Sequence, residues 1–274
     1  MTEANATLIH GDAADMACIG PGEAQLVITS PPYFPPKLVA QFGGSRRRQS
    51  DPEGTWRHIE TFATSLSPVF SEIARIVGRT GICCIETKDV VYGDFRLPLS
   101  ALHARLAREH GLWMRCSLHF RSTGIKPAHL PNFVLRPACG NFRTLDTSTL
   151  LICSHPRWRC RRSTPMKLDR TTSLGLIEPY WRLTPARHLR IHEHQSPPDL
   201  IRRMIELFSV PGDLVVDPFA GSGQVLRIAR ELQRRSVGYE RDLARHDAAW
   251  SLLVGRSIRT GAAGADRAAR TSRA

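Results

Sequence analysis

Three short stretches of this 274-residue chain hold residues whose types and spacing could do chemistry. The first is "TSPPY" at residues 29–33, directly behind the apolar run "LVI". Neither Pro31 nor Pro32 can donate a backbone hydrogen bond, and each fixes its own φ at about −65°. Pro31 also restrains Ser30 to extended backbone. Such a segment either simply ends a strand or acts as a stiff hook, presenting backbone carbonyls, the Ser30 hydroxyl and the Tyr33 ring at the strand's carboxyl end. The second stretch, "VVDPFAGSG" at 215–223, places Asp217 at a strand's end and follows it with a turn through Phe219, Gly221 and Gly223. Glycine lets a ligand approach the backbone closely, and open α/β folds bind nucleotides at such a position. No Walker lysine follows, so the turn is a poor triphosphate cradle. In the third stretch, "SVGYE", Glu240 lies 23 residues beyond Asp217 at the end of the next strand. A carboxylate there can accept both hydroxyls of a ribose.

The elements that must position these residues follow from periodicity. "ATLIHGD" is a short strand ending in a turn at Asp12, and "QLVITS" is a second strand. "TWRHIETFATSLSPVFSEIARIV" has helical spacing interrupted by Pro68, and "GICCIE" is a buried strand. "LPLSALHARLAREHG" is a helix stopped by Gly111, and "LWMRCSLHF" alternates as a strand. From 121 to 185 regularity fails except for the strand "STLLIC", so this stretch reads as an irregular lobe set into the sheet. Regular structure returns at "SPPDLIRRMIELF", where Ser196 suits the N-cap and Pro197 the first helical position. The strand "DLVVD", the glycine turn, a helix from Gln224 to about Arg234, the strand "SVGYE" and a final helix complete the pattern. The expected organisation is a core of residues 1–120 and 186–254, an inserted region at 121–185 and a frayed basic tail at 255–274.

Composition narrows the function. The formal charge of +13 is concentrated: residues 115–170 carry eleven Arg or Lys against Asp146 and Asp169, and residues 255–274 carry five Arg against Asp266. Concentrated positive charge points to a polyanion partner. Arg157, Arg159, Arg161 and Arg162 flank Trp158 in "PRWRCRR", and Arg46 and Arg47 follow the hook in "SRRRQ". Arginines of this kind grip phosphates or read guanine in the major groove. No apolar run reaches the ~20 residues of a membrane helix and no signal-peptide pattern opens the chain, so a cytoplasmic location is expected. The seven cysteines contain no C-x-x-C, which suits a reducing compartment. Cys153, His155 and Cys160 do not have the spacing of common zinc sites, and no metal is expected.

In order along the chain, "GD", "TSPPY", "DPFAGSG" and "GYE" are similar to the signatures of the DNA amino-methyltransferases in their permuted β-type arrangement. The resemblance covers about residues 8–242, apart from the basic lobe. It implies a Rossmann-like α/β methyltransferase fold that binds S-adenosylmethionine, with 121–185 as target-recognition region and DNA as partner. It assigns Asp217, Phe219, Gly221 and Gly223 to the methionine part of the cofactor, Glu240 to the ribose and Asp12 to the adenine. More loosely, "HEHQSPPDLI" supplies His194 and Ser196 beside the same cofactor. The chain departs from the family in reading "GSGQV" where "GSGTT" is usual, and in having His119 and Phe120 where a Trp often ends the strand.

The resemblance also gives the hook a purpose. An exocyclic amine on a base is a poor nucleophile because its lone pair is conjugated into the ring. Acceptors around the amine hydrogens, from Ser30 and the Pro31 carbonyl, would stabilise the charge that develops as the nitrogen becomes tetrahedral. Tyr33, beside Pro32, would stack the base once it has flipped out. Family members with Ser in the first position mostly methylate the N4 amine of cytosine, whereas Asp usually marks adenine-N6 enzymes. The expected activity is therefore cytosine-N4 methylation of DNA without a covalent intermediate, in a modification system that can include a cognate restriction endonuclease. An adenine-N6 enzyme and a non-catalytic DNA-binding protein that keeps the fold are the alternatives.

Overall fold

Leu26, Val27 and Ile28 are all buried, yet successive side chains enter different cores. Leu26 and Ile28 belong to one cluster and Val27 to the other, and Ile82, Cys83, Cys84 and Ile85 alternate in the same way. Strands apolar on both faces must be covered on both faces, which makes them the centre of a parallel α/β sheet. The computed structural model shows this layering. It describes residues 2–3, 5–32, 52–92, 95–122, 148–160, 178–183 and 196–255.

In chain order the elements are β1 (Thr2–Glu3), β2 (Ala6–His10), β3 (Leu26–Thr29), α1 (Pro52–Thr64), α2 (Ser67–Val77) and β4 (Ile82–Thr87). Next come β5 (Val90–Tyr92), β6 (Phe95–Leu97), α3 (Leu99–Glu109), β7 (Trp113–Ser122), β8 (Ser148–Ser154) and β9 (Tyr180–Leu183). The chain continues with α4 (Pro198–Phe208), β10 (Leu214–Asp217), α5 (Gln224–Glu231), β11 (Arg235–Glu240) and α6 (Leu243–Leu253). Among the described residues nine strands form one sheet in the order β1-β2-β11-β10-β3-β4-β8-β7-β9, and β5 with β6 makes a separate hairpin. From β2 to β4 the strands are parallel, while β8 runs against both β4 and β7. Ile59, Phe70, Ile73 and Leu102 of α1, α2 and α3 cover one face. Leu200, Met204, Leu226, Ile228 and Leu253 of α4, α5 and α6 cover the other.

This is the expected Rossmann-like class, with differences of detail. Pro68 does not interrupt one helix but starts a second, since its missing N–H costs nothing in a first turn. The irregular lobe proposed for 121–185 is not a single insert. Residues 121–122 finish β7, and 148–154 and 180–183 are strands of the main sheet. Buried Leu150, Leu151, Ile152 and Cys153 tie β8 into the two cores. Ser196 is not the N-cap of α4: Pro197 holds that position, and the Ser196 hydroxyl donates elsewhere.

Candidate active site

Five parallel strands end at one edge, and the chemistry-bearing residues collect there. Glu240 closes β11, Asp217 closes β10, Ser30 follows β3, and Glu86 is the penultimate residue of β4. Asp12 comes two residues after β2 and is held to the same edge where the Gly11 N–H donates to the Glu240 carbonyl at 3.1 Å. Side chains alternate along a strand, so register shows which of these residues share a face. Asp217 and Glu86 are in step with Val215 and Cys84, which enter the core under α4, α5 and α6. Both carboxyls therefore look toward those helices, from the strands flanking β3.

The glycine turn is built around these acids. Asp217 accepts the Phe219 N–H at 3.1 Å, and the Ala220 N–H donates to the Tyr239 carbonyl at 2.8 Å. One oxygen of Glu240 accepts the Gly221 N–H at 3.0 Å and the other accepts the Asp242 N–H at 2.9 Å. Glu240 thus clasps the turn from the neighbouring strand, and each oxygen keeps a second lone pair for a ligand hydroxyl. Gly221 and Gly223 have φ of 50° and 69°, the left-handed region in which glycine escapes the Cβ penalty. Gln224 and Val225, the departures from the family pattern, are buried at the start of α5, where Val225 packs in the core.

Burial dominates the electrostatics. Asp217 is 5% exposed, and loss of water pushes its carboxyl up to about 7 against the opposing Phe219 hydrogen bond; Glu240 and Glu86 push the same way. Glu86 is 7% exposed and is also raised to about 7 by burial, opposed by a hydrogen bond from the Ser196 hydroxyl. Asp12 is exposed; it accepts the Ala14 N–H at 2.9 Å and lies 3.8 Å from the Arg241 guanidinium. Ser30 is half-buried, Pro31 buried and Pro32 exposed. Phe219 is half-buried against the α1, α2 and α3 core. His119 is exposed beside the Thr149 hydroxyl at 3.3 Å, and Phe120 is buried in the core.

The structure thus brings together Asp12, Ser30, Pro31, Pro32, Ser196, Asp217, Phe219, Gly221, Gly223 and Glu240, ten of the expected site residues. Tyr33, Arg46, Arg47, Arg161, Arg162 and His194 lie outside the described residues. Arg157 and Arg159 are exposed but sit at the opposite edge, because β8 runs antiparallel to β4 and delivers them to its amino end. There the Arg159 N–H donates to the Arg79 carbonyl at 3.0 Å, and the Trp158 indole donates to the Thr80 carbonyl at 3.0 Å. The Arg115 guanidinium stacks 4.9 Å above the Trp158 ring. Glu86 was absent from the expected set. Its signal was a single acid closing the otherwise apolar run "GICCIE". Among the described residues no group of three His, Cys, Asp or Glu side chains could hold a metal ion, and no helix is long and apolar enough to cross a membrane.

A doubly covered parallel sheet, with a glycine turn and two strand-end acids at its carboxyl edge, defines a nucleoside-binding α/β protein of the methyltransferase type. Residues 24–250 match the N6/N4 family described as DNA methylase, and the chain belongs to that family. Across 87% of its length it is 26% identical to 88% of the type II methyltransferase M.MjaI of Methanocaldococcus jannaschii. TTHA0409 of Thermus thermophilus, described as a DNA modification methylase and solved with S-adenosyl-L-methionine, superposes with a TM-score of 0.68. That match has 22% identity and covers 94% of this chain and 99% of the other. The cytosine-N4-specific PvuII DNA methyltransferase gives a TM-score of 0.69 at 16% identity, over 94% and 89% of the two chains. Family membership makes S-adenosylmethionine the cofactor. The residues present fit it: open glycine backbone, Glu240 with free lone pairs, and two buried carboxyls suited to a cationic ligand.

Proposed function

We propose that the chain methylates the exocyclic N4 amine of cytosine in DNA, acting on a base that has left the duplex. The observation that carries this reading is the placement of Ser30, Pro31 and Pro32 at the carboxyl end of β3, between the strand that ends in Asp217 and the strand that ends in Glu86 and Thr87. Bound there, S-adenosylmethionine supplies an electrophilic sulfonium methyl. Asp217, Phe219, Gly221 and Gly223 hold its methionine part, Glu240 its ribose, and Asp12 lies on the adenine side. Ser30 Oγ and the Pro31 carbonyl accept hydrogens of the target amine and stabilise the positive charge that develops on its nitrogen. Buried Pro31 keeps that carbonyl from reorganising. Tyr33, next in the chain, stacks the extrahelical base.

Pro32, Ser122 and Leu183, each the last described residue of its stretch, lie at this same edge. We assign target recognition to the chain that follows these points, Arg46 and Arg47 among it. The type II relative supports a place in a modification system, and a nuclease of the same specificity is the partner such a system would add. Incubation with duplex DNA and cofactor tritiated on its methyl tests the reading. Label fixed in the DNA, and strongly reduced by Ser30→Ala, is the expected result. No transfer by the wild type would favour a DNA-binding protein that keeps the fold without catalysis.

A further inference from the structure

Glu86 is the residue at the site edge that the glycine-turn reading leaves without a role. The residue is 7% exposed, and its carboxyl accepts the hydroxyl of Ser196, the residue just before the Pro197 cap of α4. On the same side of the sheet, across β3, lies Asp217, 5% exposed, its carboxyl near enough for the two charges to oppose each other. Among the described residues neither carboxyl has a cationic partner, and Glu240, the next acid along the edge, is held by the Gly221 and Asp242 N–H groups. Across the sheet Glu86 pairs in register with the apolar Leu150 of β8, so no charge meets it from that strand. Two buried carboxyls on the same face of the sheet need a cation to be stable as anions.

Order along the edge tells which cation. Strands β11, β10, β3 and β4 present Glu240, Asp217, Ser30 and Glu86 in that sequence. A ligand with its ribose at Glu240 and its methionine chain leaving past Asp217 carries its amino-acid end toward β4. We infer that Glu86 is a positioning residue that receives the α-ammonium of the cofactor's methionine end, fixing the chain so that the sulfonium methyl faces Ser30 and Pro31. Ser196 aims the Glu86 carboxylate by donating to one of its oxygens. This inference rests on S-adenosylmethionine being the cofactor and is independent of which base is methylated.

Calorimetry with two neutral-sulfur ligands tests it. S-adenosylhomocysteine keeps the amino-acid end, whereas 5′-methylthioadenosine lacks it but keeps the nucleoside. Glu86→Gln should weaken S-adenosylhomocysteine by roughly 10–100-fold, the range for losing a hydrogen bond to a charged group, and leave 5′-methylthioadenosine unchanged. Ser196→Ala, which keeps the carboxylate, should retain a clear preference for S-adenosylhomocysteine. An equal loss on both ligands in Glu86→Gln would make Glu86 structural and overturn the inference, as would no loss on either. A Ser196→Ala variant that loses the preference as fully as Glu86→Gln would move the role to Ser196. A wild type that binds neither ligand would defeat the cofactor assignment itself, and the inference with it.

Discussion

Removing the Glu240 carboxylate should damage two things that can be measured separately. Glu240 accepts the Gly221 N–H at 3.0 Å and the Asp242 N–H at 2.9 Å, so it holds the glycine turn before any ligand arrives. A hydrogen bond to a charged group contributes about 1.5–3 kcal/mol. Because Glu240 is half-exposed and water replaces part of each bond, Glu240→Ala should cost the free protein about 1–2 kcal/mol. Loss of the ribose acceptor costs binding a similar amount, making S-adenosylhomocysteine binding about 5–30-fold weaker. Glu240→Gln should fall between, since its amide offers one acceptor and sets its NH₂ against the other backbone donor. Thermal or urea unfolding without ligand reads the first effect, and titration calorimetry reads the second. Unchanged unfolding and unchanged affinity in Glu240→Ala would refute both. A fall in stability with unchanged affinity would leave Glu240 as a turn clasp alone.

Other outcomes follow from the same geometry. A Cβ added at Gly238 would lie 2.7 Å from Leu226 Cδ1 and 2.9 Å from Ala220 Cβ, so Gly238→Ala should lose about 1–3 kcal/mol in urea unfolding. His103 is buried, with Nδ1 2.9 Å from the Thr87 hydroxyl, and burial lowers its pKa from 6.5 to about 4. The unfolded chain binds this proton first, so stability present above pH 6.5 should fall by about 2 kcal/mol on going from pH 7 to pH 5, and His103→Gln should remove that part of the pH dependence. Glu86 has the opposite sign: its folded pKa is raised from 4.5 to about 7, so the folded state holds the proton longer and burial of the anion costs stability as pH rises through that window. Without cofactor, Glu86→Gln should therefore melt higher than wild type at pH 8, with a much smaller difference at pH 5. Arg157→Ala with Arg159→Ala should leave the salt dependence of DNA binding unchanged, because both residues lie at the amino edge of the sheet. A fall of about one unit in the log-log slope per residue would put DNA there instead.

What the sequence made legible was the local chemistry. Apolar runs bounded by turns located β3, β4, β10 and β11, and the acid-turn-glycine spacing located the sheet edge where the strand-end acids collect, because both signals are short-range. What stayed hidden depends on strand direction and register. Arg157 and Arg159 looked like part of a target-recognition lobe because they are basic and lie beside Pro and Trp in an irregular stretch. Their placement depends on β8 running antiparallel to β4, which no local pattern reveals. Ser196 had the composition of an N-cap, but the helix starts one residue later and its hydroxyl turns to a carboxyl 110 positions away in sequence. Glu86 was hidden for the same reason: one acid at the end of an apolar strand becomes informative only when the fold sets it across β3 from Asp217.

Nucleoside analysis tests the central claim most directly. Duplex DNA incubated with the protein and S-adenosylmethionine is digested to nucleosides and resolved by mass spectrometry against authentic standards. The account predicts N4-methyldeoxycytidine, abolished or strongly reduced by Ser30→Ala. N6-methyldeoxyadenosine alone would contradict the choice of base while leaving the amine chemistry in place. 5-Methyldeoxycytidine would contradict the account of the hook at Ser30, Pro31 and Pro32, since methylation at ring carbon requires a covalent nucleophile.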